Sequence, residues 1–242
     1  MKKCVFALAT LMFSVLFMSC GSSGTCIDGS GEISSESRNV TYFESINLRT
    51  AGNVFISQGN ENSVKIESNK DILPQLITKV EDETLLIDCE KAICPAKLNI
   101  YVTVKDLNSV QLSGSGNIFN FTPIRTDELF IKSIGSGNVN ITEVNCSKLG
   151  IVSGGSGNVS VDGNTNASVV EVNGSGNVNT LDLTNDYMSV TLNSSGEAKA
   201  KVGSKVIANV NGSGDFKYIG EPIEKKFQRT GSGNIKKIKA VS

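Results

Sequence analysis

The sequence predicts an all-β protein, a single-stranded right-handed parallel β-helix with coils of about 20 residues. Two observations carry this. The tetrapeptide GSGN stands at 114–117, 135–138, 155–158, 174–177 and 231–234, with SSGE at 194–197 and GSGD at 212–215 between them. Aligned on their second glycines (Gly116, Gly137, Gly157, Gly176, Gly196, Gly214 and Gly233), the motifs recur after 21, 20, 19, 20, 18 and 19 residues. A period that drifts by a residue or so marks stacked coils with the drift absorbed in loops.

The second observation is the columns. Two residues after the glycine stand Ile118, Val139, Val159, Val178, Ala198, Phe216 and Ile235; six before it stand Val110, Ile131, Ile151, Val170, Val190, Ala208 and Phe227. All are apolar, and polar residues alternate with them at a period of two, as in VEVNG. Each repeat therefore supplies short strands whose inward columns fill a continuous core. The seven glycines are the expected structural corner, where the chain turns at one place in every coil and glycine reaches backbone angles that others avoid. Handedness follows from the general rule for parallel crossovers. Asn117, Asn138, Asn158, Asn177 and Asn234 form one column, interrupted by Glu197 and Asp215, and stacked amides hydrogen-bond from coil to coil.

Residues 1–19 read as a lipoprotein signal peptide. Lys2 and Lys3 form the basic start, and Cys4 to Met18 is an apolar run short for a membrane span. Ser19 directly before Cys20 predicts cleavage there and lipid attachment at Cys20, although Phe17 and Met18 are bulky for such a site. Residues 20–37, rich in Gly and Ser, are expected to be a tether reaching about 20–25 Å. Residues 38–242 are then the β-helix, with 38–107 as irregular N-terminal coils and cap and 108–242 as the regular repeats. In the former, SVKIES, TLLIDC and LNIYVTV read as strands, KDILPQLI as a helical turn and AGNVFI as a degenerate first corner.

Cysteine usage adds one candidate disulfide, Cys89 with Cys94 in CEKAIC, able to close a short loop in an oxidising envelope. Cys26 and Cys146 have no evident partner. Paired CxxC motifs at zinc spacing are absent.

The mature chain resembles the bacterial family described as putative auto-transporter adhesin, head GIN domain, frequent in lipoproteins of the Bacteroidetes. FESINLRTAGNVFISQG, then DILPQLITKVEDETLLI, then LNIYVTV leading into LNSVQLSGSGNI carry the resemblance, and the Gly-Ser-Gly coils complete it. It implies a right-handed β-helix and an adhesin-like role, and it brings no catalytic residues.

Composition limits the function classes. The absence of His removes His acids, His-based triads and His metal sites. The formal charge of −1, or −3 without Lys2 and Lys3, is unlike the dense positive charge of nucleic-acid binders, so no nucleic acid is expected as a partner. Calcium bound through the array would need carboxylates where the corner carries Asn; only Glu197 with Asp215 offers a local acidic pair. No metal and no cofactor are therefore expected.

The column three past the glycine ends in Lys199, Lys217 and Lys236, a candidate surface for an anionic ligand, with Glu197 and Asp215 placed to neutralise it. Glu81, Asp82, Glu83, Asp88 and Glu90 read as a solvated hairpin rather than as the convergent acids of a glycosidase.

The resulting expectation is a cell-envelope lipoprotein, lipid-anchored and outer-membrane, that binds a glycan or another envelope or host protein without catalysis. The alternatives are a β-helix carbohydrate-active enzyme acting on acidic polysaccharide, and a structural or signalling lipoprotein facing the periplasm. GSSGT after Cys20 lacks the early acidic run that the resemblance associates with surface export, so the face of the membrane stays open.

Overall fold

The computed structural model describes residues 26–239. Strands make up 59% of the described residues, in a solenoid of about 6 turns with parallel stacked coils, and these residues contain no α-helix. Burial therefore comes from strand alternation alone.

The regular coils cross three strand columns up to Leu192, and two beyond it. The first holds Ser109–Leu112, Glu128–Ser133, the ends of the long strands Val139–Ser153, Val159–Val172 and Leu183–Leu192, then Lys205–Val210 and Glu224–Arg229. The second follows the Gly-Ser-Gly corner, with Asn117–Asn120, the starts of Val139–Ser153 and Val159–Val172, then Val178–Thr180, Ala198–Lys201, Phe216–Ile219 and Ile235–Lys237. The third begins with Ile124–Arg125, paired to Val144 and Asn145, and continues through Gly163–Thr165 to Leu183–Asn185.

Both apolar columns point inward as the alternation requires. Val110, Ile131, Val190, Ile118, Val159 and Phe216 are fully buried in one continuous core. Burying a side chain such as Phe216 contributes about 1.5–3 kcal/mol. Phe227 occupies the same inward column yet is 43% exposed, because no strand among the described residues stacks on the far side of its coil. In that last coil Lys225 and Arg229 replace the buried Val206 and Val210 of the coil before, which ends the core with charge.

The corner glycines stand where expected, but for a different reason. None of the seven has a positive φ. A Cβ on Gly137 would instead run into the carbonyl oxygen of Gly116, and one on Gly157 into that of Gly137, well inside the 3.0 Å that real Cβ atoms keep. Close stacking of backbone on backbone excludes a side chain here. Gly52 is the degenerate first corner, and it does have a left-handed φ of 101°.

The N-terminal coils are threaded out of chain order. Ser45–Leu48 lies between Thr84–Cys89 and Ser109–Leu112, and Asn53–Gln58 lies between Leu98–Val104 and Asn117–Asn120, all parallel. The outermost coil is therefore residues 84–104, and 45–58 forms the second. Antiparallel strands close the end: Leu76–Glu81 on Thr84–Cys89, Ser63–Asn69 on Leu98–Val104, and Ile33–Arg38 on Ser63–Asn69. Asp82 and Glu83 take left-handed φ values of 47° and 56° in the hairpin turn, as the twist of a tight hairpin demands. Leu73–Gln75 is the helical turn, a single turn of 3-10 helix.

Two expectations need correction. The tether does not extend to residue 37. Ile27–Asp28 pairs with Ile93–Cys94, Ile33–Arg38 joins the cap, and Asp71 accepts the N–H groups of Ser30 and Gly31 at 3.0 and 3.3 Å. The disulfide joins Cys26 to Cys94, leaving Cys89 free. Register decides this: the pairing beside Cys26 brings its Cα to 5.7 Å from that of Cys94, whereas the Cys89 sulfur takes the Thr50 hydroxyl at 3.2 Å. Cys20 lies outside the described residues.

Candidate recognition face

The outer face of the second column carries two parallel ladders of side chains. One is the asparagine column. The Asn117 amide donates to Asn53 Oδ1 at 3.0 Å, Asn138 to Asn117 at 3.1 Å, Asn158 to Asn138 at 3.3 Å and Asn177 to Asn158 at 3.1 Å. The backbone N–H groups of Asn138, Asn158 and Asn177 donate to the same oxygens. The side-chain oxygens of Asn117, Asn138 and Asn158 thus each take two donors, and these amides are fixed in one orientation. Glu197 continues the ladder through its N–H to Asn177, and Asp215 accepts both donors of Asn234.

The second ladder lies two residues on. The register sets Tyr101, Phe55, Phe119, Asn140, Ser160, Asn179, Lys199, Lys217 and Lys236 side by side. At about 4.8 Å per coil its eight steps span some 38 Å. Chemistry changes along it from aromatic to amide and hydroxyl to ammonium.

The structure brings Lys199, Lys217 and Lys236 together as the sequence predicts, and it also supplies their neutralisation. Glu197 Oε1 lies 2.7 Å from Lys199 Nζ, and its other oxygen pairs with Lys217. Burial pushes the Glu197 carboxyl up, but the two ammonium groups outweigh it and hold the group below its ordinary value. Lys217 is raised by the same hydrogen bond. Asp215 neutralises neither lysine directly. The Asn234 N–H, with the Asn234 amide and more distant lysines, holds it low. With both Glu197 oxygens on ammonium groups, the Glu197–Asp215 pair is poorly suited to calcium.

The acids at 81–90 belong to the end hairpin. Glu81 pairs with Lys79 at 2.8 Å and Asp88 accepts the Cys89 N–H at 2.8 Å. They lie on one local hairpin and not across a cleft. On the first column, a shallow hollow of about 650 Å³ is lined by Phe130, Gly150, Val169 and the Glu128–Lys148 pair. The Phe130 ring covers the bare backbone of Gly150, which accounts for its position.

The family signature described as "putative auto-transporter adhesin, head GIN domain" matches residues 42–222. The chain belongs to that family. The head GIN region takes in the permuted coils and most of the repeats, while the strand Ile33–Arg38 and the last coil lie outside the match. Solved structures agree on the fold. One described as a putative adhesin from Bacteroides fragilis NCTC 9343 is 28% identical, with a TM-score of 0.84, and covers 88% of this chain and 100% of its own. One described as a putative lipid binding protein from Parabacteroides distasonis ATCC 8503 is 23% identical, covering 88% and 99%, with a TM-score of 0.73. A putative adhesin from that organism is 19% identical, covering 88% and 99%, with a TM-score of 0.71. No functionally curated protein matches the chain.

Sequence reading missed three members of this face. Phe55 stands three residues past Gly52, as Phe119 stands three past Gly116, so the column rule reaches it. Tyr101 and Phe121 lie off any repeat of the motif. A second polar ladder was also missed, in which Asn193 donates to Asn173 at 2.8 Å, Asn211 to Asn193 at 2.9 Å and Thr230 to Asn211 at 2.9 Å. Its signal was a constant place three residues before the corner glycine.

Proposed function

We propose that this head GIN protein is a lipid-anchored recognition module of the cell envelope, attached through Cys20 and acting by binding without catalysis. The observation that carries the reading is the uninterrupted outer face of the second strand column. Its asparagines are locked by paired hydrogen bonds, so their outward N–H groups are presented with little ordering left to do on binding. Its acidic residues are engaged one by one with lysines or N–H donors, and none stands in an unpaired couple suited to acid–base work. Family membership supports an adhesin-like role. No helix among the described residues is long and apolar enough to cross a membrane, and the lipoprotein signal ending at Cys20 supplies the anchor instead.

Protease shaving of intact cells tests the reading, with a periplasmic protein as the internal control and Cys20→Ala as the unanchored form. Loss of the wild-type protein with the control intact, and release of Cys20→Ala from the membrane fraction, is the expected result. Protection in intact cells beside cleavage in lysed cells would turn the face toward a periplasmic partner and end the adhesin reading.

A further inference from the structure

Four aromatic rings stand on the outside of the first coils, at one end of the mixed ladder. The Phe55 ring is the hub: its centroid is 5.5 Å from Tyr101, 5.6 Å from Phe119 and 4.7 Å from Phe121, with planes 21°, 20° and 12° apart. Phe121 lies nearly flat on Phe55 and reaches Tyr101 at 6.4 Å, yet it remains 63% exposed. One face of its ring is therefore against the cluster and the other is open to water. The fold does not require these rings, since the same outward column carries Asn140, Ser160 and Asn179 in the next three coils.

We propose that Phe121, backed by Phe55, Tyr101 and Phe119, is a carbohydrate-binding platform that takes a neutral pyranose unit of a glycan. The proposal deepens the recognition reading above and rests on it. One face of a pyranose presents C–H groups of partial positive charge, which suit the negative face of an aromatic ring, while its rim presents hydroxyls. Both halves of that pattern are here. The turn carrying Phe121 is pinned on either side: the Asn120 amide donates to the carbonyls of Thr122 and Thr142 at 2.8 Å each, and the Thr122 hydroxyl accepts the Gln58 N–H at 2.8 Å.

At the border, Glu67 takes Lys97 at 2.9 Å, the Tyr101 hydroxyl at 3.3 Å and the Asn99 amide at 3.5 Å. A carboxylate has about four acceptor sites, so one is left for a sugar hydroxyl, and Lys97 keeps N–H donors to spare. The Lys97 hydrogen bond, with help from Tyr101 and Asn99 against some burial, holds Glu67 low and hence ionised. The charges of Lys97 and Glu67 cancel, which complements an uncharged ligand. A lipid surface would call for surplus cations and a protruding ring, and Phe121 lies flat.

The test is affinity electrophoresis of the full chain carrying Cys20→Ala, through gels containing starch, dextran, xyloglucan or galactomannan, all neutral. Retardation by at least one is expected, weakened tenfold or more by Phe121→Ala, kept by Phe121→Trp and unchanged by Phe130→Ala, the control for an exposed ring elsewhere. Near-native melting of Phe121→Ala separates lost binding from lost folding. Retardation by none of the four overturns the proposal, as does equal retardation of wild type and Phe121→Ala, or equal loss in Phe130→Ala. Binding only to an anionic polysaccharide, abolished by Lys217→Glu, would overturn it while leaving the recognition reading standing. Capture of a protein at this patch without sugar binding would do the same.

Discussion

The backbone of Gly137 packs directly against the carbonyl oxygen of Gly116 in the coil before it, and no side-chain atom fits between them. Gly157 repeats the relation on Gly137, and Gly176 on Gly157. Gly137→Ala must push two coils apart in mid-solenoid, and a loss of about 3 kcal/mol or more is expected, the upper end of overpacking. Gly154→Ala is the matched control. A Cβ there finds only the Ile134 side chain at 3.4 Å, an ordinary contact, so its unfolding midpoint in urea should stay near wild type. Equal midpoints for the two variants would refute the close-packing account of the corner.

Ser133 and Ser153 sit side by side in the inward column, fully buried between Leu112 and Val172, and neither hydroxyl has a hydrogen-bond partner. A buried hydroxyl left unpaired costs about 1–3 kcal/mol. Ser133→Ala with Ser153→Ala should therefore stabilise the protein, raising Tm by roughly 2–4 °C for each kcal/mol recovered in a chain of this size. A lower Tm would show that something satisfies those hydroxyls.

Acid should loosen the C-terminal coils. Glu197 and Asp215 both lie below their ordinary values when folded. A carboxyl held low in the folded state stabilises it fully above its unfolded pKa, and that contribution is lost as pH falls through the lower folded value. Amide exchange in Ala198–Lys201 and Phe216–Ile219, corrected for intrinsic rates, should therefore rise below about pH 4 and stay flat from pH 6 to 8. In Glu197→Gln the acid effect on these strands should shrink. The same variant uncovers Lys199 and Lys217, so retention on an anionic resin should increase.

Reduction should release the N-terminal segment before the solenoid. The Cys26–Cys94 bond spans a sequence separation of 68, and closing so long a loop is worth about 2–4 kcal/mol. In dithiothreitol, limited proteolysis should cut first between residues 26 and 32, while the coils beyond residue 109 stay protected. Alkylation of the native, non-reduced protein should label Cys89 but spare Cys146, whose thiol burial pushes up despite its hydrogen bond to Thr165. Label on Cys94 but not on Cys89 would contradict the pairing.

Residues 108–239 were legible because a constant spacing fixes register. Once Gly116 and Gly137 align, Ile118 must meet Val139, and Phe119 must meet Asn140. The lysine column followed from the same rule. Before residue 108 the spacing gives out. The strands themselves were readable from alternation in LNIYVTV, but nothing local says that Leu98–Val104 stacks outside Asn53–Gln58. Cys94 found Cys26 through a strand pairing of only two residues, invisible beside the nearer Cys89. The aromatic cluster escaped for the same reason, since Tyr101 and Phe55 become neighbours only in the permuted stack.

The position of Ser45–Leu48 between two later segments changes what it means to cut this protein. A coil such as 157–176 has chain neighbours as its spatial neighbours, so excising one period would leave a shorter solenoid with matching ends. Nothing comparable holds before residue 109. Residues 45–58 leave the ribosome first, yet both of their flanking strands are still to be made. They have no surface to dock on until 84–120 exist. The first three coils thus form a single indivisible block, assembled late from a chain that began early, and the repeats beyond it grow outward from that finished foundation.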